Sequence, residues 1–307
     1  MSDEGHQLTV ALLGTGRMGA AMAGTLSRAG HHLVLWNRTP VKSAELAQTI
    51  DAEIADTPAQ AVAMAAVSIS SLADDEAVDT VYLGDDGVVA GARPGSVICE
   101  ASTVDPEVIH RIGAAVDATG AFLLDSPVSG SVSTVEQGAL TIMVGGDDHA
   151  LDLARPVLES LSARIVPTGG RGSGAATKLA VNALVHGLNV SLSEALVLAE
   201  RAGVDRKTAY EVFATGAGGA PFVQYKRAAY EDPDGAMVAF SLHLVAKDLE
   251  LITGLANRVG APMAQANVDL AIVRDAIAAG YGDDDLSAIA VYLRSNEVDV
   301  DRSKEQP

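Results

Sequence analysis

Leu8-Thr9-Val10-Ala11-Leu12-Leu13-Gly14-Thr15-Gly16-Arg17-Met18-Gly19 is the stretch that decides the architecture of this chain. A short apolar run of strand character meets a Gly-x-Gly-x-x-Gly turn, and residues 18–29 beyond it follow helical periodicity. The first glycine permits a tight turn. The second lets backbone N–H groups approach a pyrophosphate, and the third lets the helix pack closely on the strand, with its N-terminus facing the phosphates. Leu33-Val34-Leu35-Trp36 supplies a second strand, so the glycines sit inside a strand–helix–strand unit, the context a dinucleotide site needs.

Working outward, the alternation continues to about Val166. Residues 68–72, 96–100, 122–125 and 140–144 read as further strands and 40–49 as another helix. This is the pattern of an α/β fold, a Rossmann-like doubly wound parallel sheet. After Val166 no further strand is expected. Thr168-Gly169-Gly170-Arg171-Gly172-Ser173-Gly174 opens a helical stretch to about Arg201, and helical segments follow near 206–214, 240–259, 264–279 and 286–295. The expected organisation is a nucleotide-binding domain over 1–167, an all-α domain over 168–297 entered by a long interdomain helix, and a polar, frayed tail over 298–307.

Composition supports two globular domains. The chain has 307 residues, 48% of them hydrophobic, which at roughly 100–200 residues per domain suits two cores. Its 40 acidic and 21 basic side chains give a formal charge of −19, which repels nucleic acid and anionic lipid unless a local basic patch intervenes, and none is visible. No uncharged apolar run reaches the roughly 18 residues of a membrane span; even the long uncharged stretch 179–193 contains Asn182, His186 and Asn189. The acidic start of the sequence lacks the basic and apolar regions of a secretory signal, and the single Cys99 cannot form an internal disulfide, so a cytoplasmic location is expected.

The end of the second strand addresses which dinucleotide binds. An NAD site usually carries an acid there for the ribose 2′-OH, whereas this chain has Asn37-Arg38-Thr39 and no acid between Gly19 and Glu45. A guanidinium can take a 2′-phosphate bidentately, so NADPH is the expected cofactor, with NAD possible and Asn37, Arg38 and Thr39 as readers. The alternative for Arg38 is a solvated loop cation stacked on adenine.

Three further motifs follow in order: Asp125-Ser126-Pro127-Val128-Ser129-Gly130-Ser131 with the trailing Gly138-Ala139-Leu140; Gly172-Ser173-Gly174-Ala175-Ala176-Thr177-Lys178-Leu179-Ala180-Val181-Asn182; and Lys247-Asp248-Leu249. With the glycine turn, they make the chain resemble the β-hydroxyacid dehydrogenases, the family of 3-hydroxyisobutyrate dehydrogenase and the tartronate and succinic semialdehyde (glyoxylate) reductases, from Val10 to about Leu293. The resemblance implies an NADPH-dependent oxidoreductase that moves hydride between nicotinamide and the carbonyl of a small 3-hydroxyacid or semialdehyde. It also implies that Ser129 and Gly130 hold the substrate carboxylate, that Lys178 is the acid/base, and that Asn182 hydrogen-bonds substrate. Ser131 departs from the family's usual glycine, so its hydroxyl either alters or assists that binding. By family position Leu72 and Thr103 touch the cofactor, joining Gly14, Thr15, Gly16, Arg17, Met18 and Gly19. Lys247 reaches toward the nicotinamide ribose or the substrate, with Asp248 orienting the site; a surface ion pair is the plainer reading of those two.

The residues themselves agree with this assignment. Lys178 and Asn182 stand i, i+4 on one helix face, and Leu179, Val181, Leu184 and Val185 make that helix apolar, so Lys178 is expected to be partly desolvated. Desolvation disfavours an ammonium and suits a lysine to proton transfer near neutrality. Among the histidines, His186 and His243 fall on the faces of Lys178 and Lys247. No cluster has metal-ligand spacing and no Gly-x-Ser-x-Gly elbow follows a strand, so neither a metal nor a serine hydrolase is expected. Asp74 and Asp75 read as a helix cap. Two rivals remain: an imine reductase of the same architecture, which generally lacks the lysine, and a non-catalytic NADP-binding protein. The long apolar helix further predicts a homodimer or homotetramer.

Overall fold

Strand β1 (Thr9–Leu13) takes the middle of a sheet because its residues 10–13 are apolar on both faces and find cover on both. The structure, a computed structural model, describes residues 7–233, 235 and 237–296. From β1 the chain runs through α1 (Arg17–Arg28), β2 (His32–Trp36), α2 (Pro40–Ile50), β3 (Glu53–Ile54), α3 (Pro58–Met64), β4 (Val67–Ser70), α4 (Asp75–Leu83), α5 (Val88–Gly91), β5 (Val97–Glu100), α6 (Pro106–Asp117) and β6 (Phe122–Asp125). It continues with β7 (Val128–Ser129), α7 (Val132–Glu136), β8 (Leu140–Gly145), α8 (Asp148–Leu161) and β9 (Ser162–Gly169).

The strand order is β3-β2-β1-β4-β5-β6-β8-β7, with β9 on β8. Its first six strands are all parallel, the doubly wound order that opens a crevice where the winding reverses between β1 and β4. Alternate residues of β1 feed opposite layers: Val10 and Leu12 pack with Met22 and Leu26 of α1, while Ala11 and Leu13 pack with Tyr82, Ile109 and Ile112.

The sheet departs from the expected all-parallel form at its far edge. There β8 runs antiparallel to both β6 and β7, and β9 pairs parallel to β8. Strand β9 was not expected beyond Val166, yet it runs to Gly169. No residue of it is fully buried, so no apolar period marks it.

The rest is helical: α9 (Ser173–Arg201), α10 (Arg206–Thr215), α11 (Pro221–Glu231), α12 (Leu242–Val259), α13 (Ala264–Ala276), a π-helical turn (Ile277–Tyr281) and α14 (Ala288–Ser295). Helix α11 escaped the sequence pattern. The chain divides into two compact units, residues 1–180 and 181–307, so the division falls inside α9. The tail expected over 298–307 lies outside the described residues.

By length and mean hydropathy, 1.3 over its best window, α9 is long and apolar enough to cross a membrane. Its polar residues are those of a core helix. Asn189 is buried, donates through Nδ2 to the Leu286 carbonyl at 3.0 Å and accepts from the Tyr230 hydroxyl at 2.6 Å.

Candidate active site

The glycine turn is built as its spacing demands. Gly14 has φ +96°, its N–H donates to the Trp36 carbonyl at 2.9 Å, and a Cβ there would lie 2.3 Å from the Ser71 carbonyl oxygen. A Cβ on Gly19 would lie 2.0 Å from the Gly14 carbonyl oxygen, so helix and turn touch through bare backbone. Gly16 is the opposite case: nothing stands within 4 Å of its missing Cβ. It caps α1, which has no side-chain cap and no acid in its first turn. Thr15 is buried and its Oγ1 has no hydrogen-bond partner. An open backbone at a helix N-terminus beside an unsatisfied hydroxyl fits a dinucleotide pyrophosphate.

Asn37 is occupied within the loops. Its Oδ1 accepts from the Thr15 N–H at 3.0 Å and its Nδ2 donates to the Thr39 carbonyl at 2.9 Å, clipping the glycine turn to the end of β2. Arg17, Arg38 and Thr39 are exposed, and Met18 packs against the core.

Leu72 and Thr103 follow β4 and β5, at the strand ends that border the crevice. Leu72 is fixed by its N–H, which donates to Ser102 Oγ at 2.7 Å, and the Ser102 N–H donates to Glu100 Oε1 at 2.7 Å. Glu100 Oε2 also accepts from Ser70 Oγ, which in turn meets the Tyr82 hydroxyl at 2.7 Å. Full burial pushes the Glu100 carboxyl above its usual range against these hydrogen bonds, and it pushes the Cys99 thiol up to about 12. Sequence reading gave Glu100 no role; its one signal was an acid ending an apolar strand. Asp74 caps α4 by accepting from the Ala77 N–H at 2.8 Å.

In the Ser129-Gly130-Ser131 turn, Gly130 has φ +145°, and a Cβ would meet Leu140 Cδ2 at 2.7 Å and Thr134 Cγ2 at 2.9 Å. Ser131 is the N-cap of α7 in a reciprocal capping box with Thr134. Its hydroxyl therefore already serves a helix end. Asp125, which opens this motif, had no predicted role. Fully buried, its carboxylate accepts from the N–H groups of Gly172 at 3.0 Å and Ala175 at 2.9 Å and so caps α9. Burial raises its carboxyl above the usual range, opposed by those N–H groups.

Lys178 is half-buried one turn before Asn182 on the continuous helix α9. Asn182 is buried, and its Nδ2 donates to Asp248 Oδ2 at 2.6 Å. Lys247 Nζ lies 3.0 Å from Asp248 Oδ1, and His186 Nε2 lies 3.5 Å from Oδ2. The Asp248 side chain is only 1% exposed, so Lys247–Asp248 is no surface pair. Burial works against its ionisation, but His186 and Lys247 outweigh burial and hold the carboxyl below its usual range. His243 is exposed, its ring 4.0 Å from Asp283.

Residues 9–170 match the NAD binding domain of 6-phosphogluconate dehydrogenase, and 172–293 match the NAD-binding domain of NADP-dependent 3-hydroxyisobutyrate dehydrogenase. The chain is 33% identical over 290 residues to the NAD-dependent L-serine dehydrogenase of Pseudomonas aeruginosa, covering 91% of this chain and 96% of that one. It is 32% identical over 300 residues to the chloroplastic glyoxylate/succinic semialdehyde reductase 2 of Arabidopsis thaliana, covering 95% and 81%. The solved Mycobacterium tuberculosis 3-hydroxyisobutyrate dehydrogenase with L-serine superposes with a TM-score of 0.82 at 30% identity, over 94% of this chain and 100% of that one. An imine reductase from a Pseudomonas species shares the fold, with a TM-score of 0.66 at 23% identity over 94% and 100%. The chain thus belongs to the β-hydroxyacid dehydrogenase family, as an NAD(P)-dependent hydroxyacid dehydrogenase.

Proposed function

We propose that this protein is an NADPH-dependent reductase, reversibly a dehydrogenase, of a small carboxylate-bearing semialdehyde or 3-hydroxyacid, with Lys178 as general acid/base. The observation that carries this reading is the half-buried Lys178 one turn before Asn182 on a helix whose first turn is held by Asp125. A buried carboxylate capping that turn fixes the direction in which Lys178 leaves the helix, and a lysine so placed gives its proton to an oxygen as negative charge develops there. The bound nicotinamide supplies the hydride acceptor or donor.

The remaining residues bind and orient. Gly14, Thr15, Gly16, Arg17, Met18 and Gly19 hold the pyrophosphate end of the cofactor; Leu72 and Thr103 border it; Lys247 and Asp248 serve its ribose or the substrate. Arg38 takes the 2′-phosphate, with Asn37 and Thr39 shaping its loop and NAD accepted less well. Ser129 and Gly130 receive the substrate carboxylate through backbone N–H groups and the Ser129 hydroxyl, with Ser131, whose own N–H and hydroxyl serve the capping box with Thr134, shaping the end of that turn. Asn182 hydrogen-bonds the reacting oxygen. Leu184 and Leu198, 75% and 72% exposed on α9, support a homodimer or homotetramer, which light scattering tests. The expected location is cytoplasmic.

Steady-state rates with glyoxylate, succinic semialdehyde, tartronate semialdehyde, 3-hydroxyisobutyrate, L-serine and a cyclic imine, each with NADP and NAD, test the substrate class. Lys178→Ala is expected to bind NADPH as the wild type does and to lose at least about a hundredfold in kcat. Wild-type turnover in that variant overturns the assignment, and preferred turnover of the imine replaces it with imine reduction.

A further inference from the structure

His186 is a costly residue for its position. It is 3% exposed on α9, and neither ring nitrogen has a hydrogen bond of good geometry. Asp248 of α12 and Asp269 of α13, both fully buried, lie beside it: Asp248 Oδ2 is 3.5 Å from Nε2, and Asp269, whose carboxyl burial raises above its usual range, feels a smaller opposing pull from the imidazole. Gln265 Nε2 donates to Asp269 Oδ1 at 2.7 Å, and Lys247 Nζ stands 3.0 Å from Asp248 Oδ1. Burying polar groups in so incompletely paired a cluster costs free energy that an apolar side chain would avoid.

The ring is also held in place. Phe240 stacks on it with centroids 6.1 Å apart and planes 26° apart. The Phe240 N–H donates to Asp285 Oδ2 at 3.3 Å, and Lys226 Nζ grips both oxygens of that carboxylate at 2.8 Å. Stacking fixes the ring plane and leaves the nitrogen-bearing edge of His186 toward Asp248.

We propose that His186 is a positioning residue: it keeps Asp248 a hydrogen-bond acceptor and thereby fixes which end of the Asn182 amide meets the substrate. The proposal rests on the reading of Asn182 as a substrate-binding residue. The physical argument is the two-ended amide. While Asp248 is ionised it can only accept, so it takes one Asn182 N–H, as the 2.6 Å contact shows, and the carbonyl oxygen and second N–H are left for substrate. A buried carboxylate that lost its cationic or N–H neighbours would hold a proton instead. Its hydroxyl would then donate to the Asn182 carbonyl, and the amide would turn over. Lys247 guards one oxygen of Asp248 and His186 the other.

The test compares His186→Leu, which has no N–H, with His186→Gln, which retains one. The probe is reduction of succinic semialdehyde or glyoxylate by NADPH. H186L is expected to lose about tenfold to a hundredfold in kcat with KM for NADPH unchanged, and its acid limb of kcat moves to higher pH. H186Q is expected to recover most of the loss. In asparagine-labelled protein, the Asn182 side-chain amide resonance, identified by its disappearance in Asn182→Ala, shifts in H186L and returns in H186Q whichever substrate is turned over. If H186L does not accumulate as folded protein, His186→Phe, which can stack on Phe240 but has no N–H, carries the same expectation. Wild-type kcat and an unmoved amide resonance in H186L, or equal losses in H186L and H186Q, overturn the proposal. If Asn182→Ala itself turns over normally, the reading of Asn182 falls instead; loss in that variant beside a normal H186L condemns the positioning role alone.

Discussion

The Asp125 carboxylate bonds the Ala175 N–H at 2.9 Å, joining the end of β6 to the first turn of α9, and its other oxygen takes the Gly172 N–H at 3.0 Å. The fit is close enough that a Cβ on Gly145 would lie 2.5 Å from Asp125 Oδ1 and one on Gly174 2.8 Å from Oδ2. Asp125→Ala is expected to leave those N–H groups unsatisfied and to cost about 1–3 kcal/mol, read as a lower denaturant midpoint. Because Lys178 stands in the next turn of the same helix, kcat should fall in the folded variant as well. A variant as stable and active as the wild type would show that the cap contributes neither effect.

Gly130 should tolerate no side chain. At φ +145°, with Leu140 Cδ2 and Thr134 Cγ2 inside 3.0 Å of the missing Cβ, Gly130→Ala is strained twice over. We expect a loss of about 1–3 kcal/mol in stability together with a raised KM for the carboxylate substrate. Ser131→Ala provides the comparison: it removes a helix cap worth about 1 kcal/mol, with a smaller effect on KM. Equal KM values for the two variants would place the carboxylate elsewhere.

These residues also show what the sequence could reveal. The glycine turn, the alternation of strands and helices around it and the Lys178–Asn182 spacing are local patterns, so they were legible. Ser131 was legible in principle, because Ser131 and Thr134 have the spacing of a capping box, but the family's glycine drew attention to substrate instead. Asp248 meeting Asn182 and Asp125 meeting Ala175 join residues far apart in the chain, and no periodicity announces such pairs. Strand β9 and helix α11 were missed for a related reason: β9 is an edge strand with no fully buried residue, and α11 alternates its apolar side chains with Gln224, Lys226 and Arg227. Lys226, a charged residue inside α11, is buried on Asp285.

Arg38 decides the cofactor question most directly. It is exposed at the end of β2, where a 2′-phosphate would lie in the dinucleotide order of this sheet. Arg38→Ala is expected to raise KM for NADPH about tenfold and to leave KM for NAD nearly unchanged, since only NADPH carries the phosphate the guanidinium would pair. Equal shifts for both cofactors would mean that Arg38 stacks on adenine instead.

Glu100 gives the fold a pH dependence whose sign can be worked out. Burial, opposed by hydrogen bonds from Ser102, Ser70 and Tyr82, raises its carboxyl above the ordinary value of 4.5. Well below that value Glu100 is protonated in both folded and unfolded chains, and the stability linked to its protonated form is fully present. As pH rises, the unfolded chain releases its proton first, so this stability declines and is lost once pH has passed through the raised folded value. Glu100→Gln keeps the shape, can still accept from one of its partners and cannot ionise. Thermal unfolding of both proteins from pH 4 to pH 8 should therefore show the wild type's advantage over E100Q shrinking, or reversing, as pH rises. A gap that stays constant across that range would mean that Glu100 titrates alike in the folded and unfolded chains, and that the Ser70, Ser102 and Tyr82 hydroxyl and amide contacts offset its burial completely.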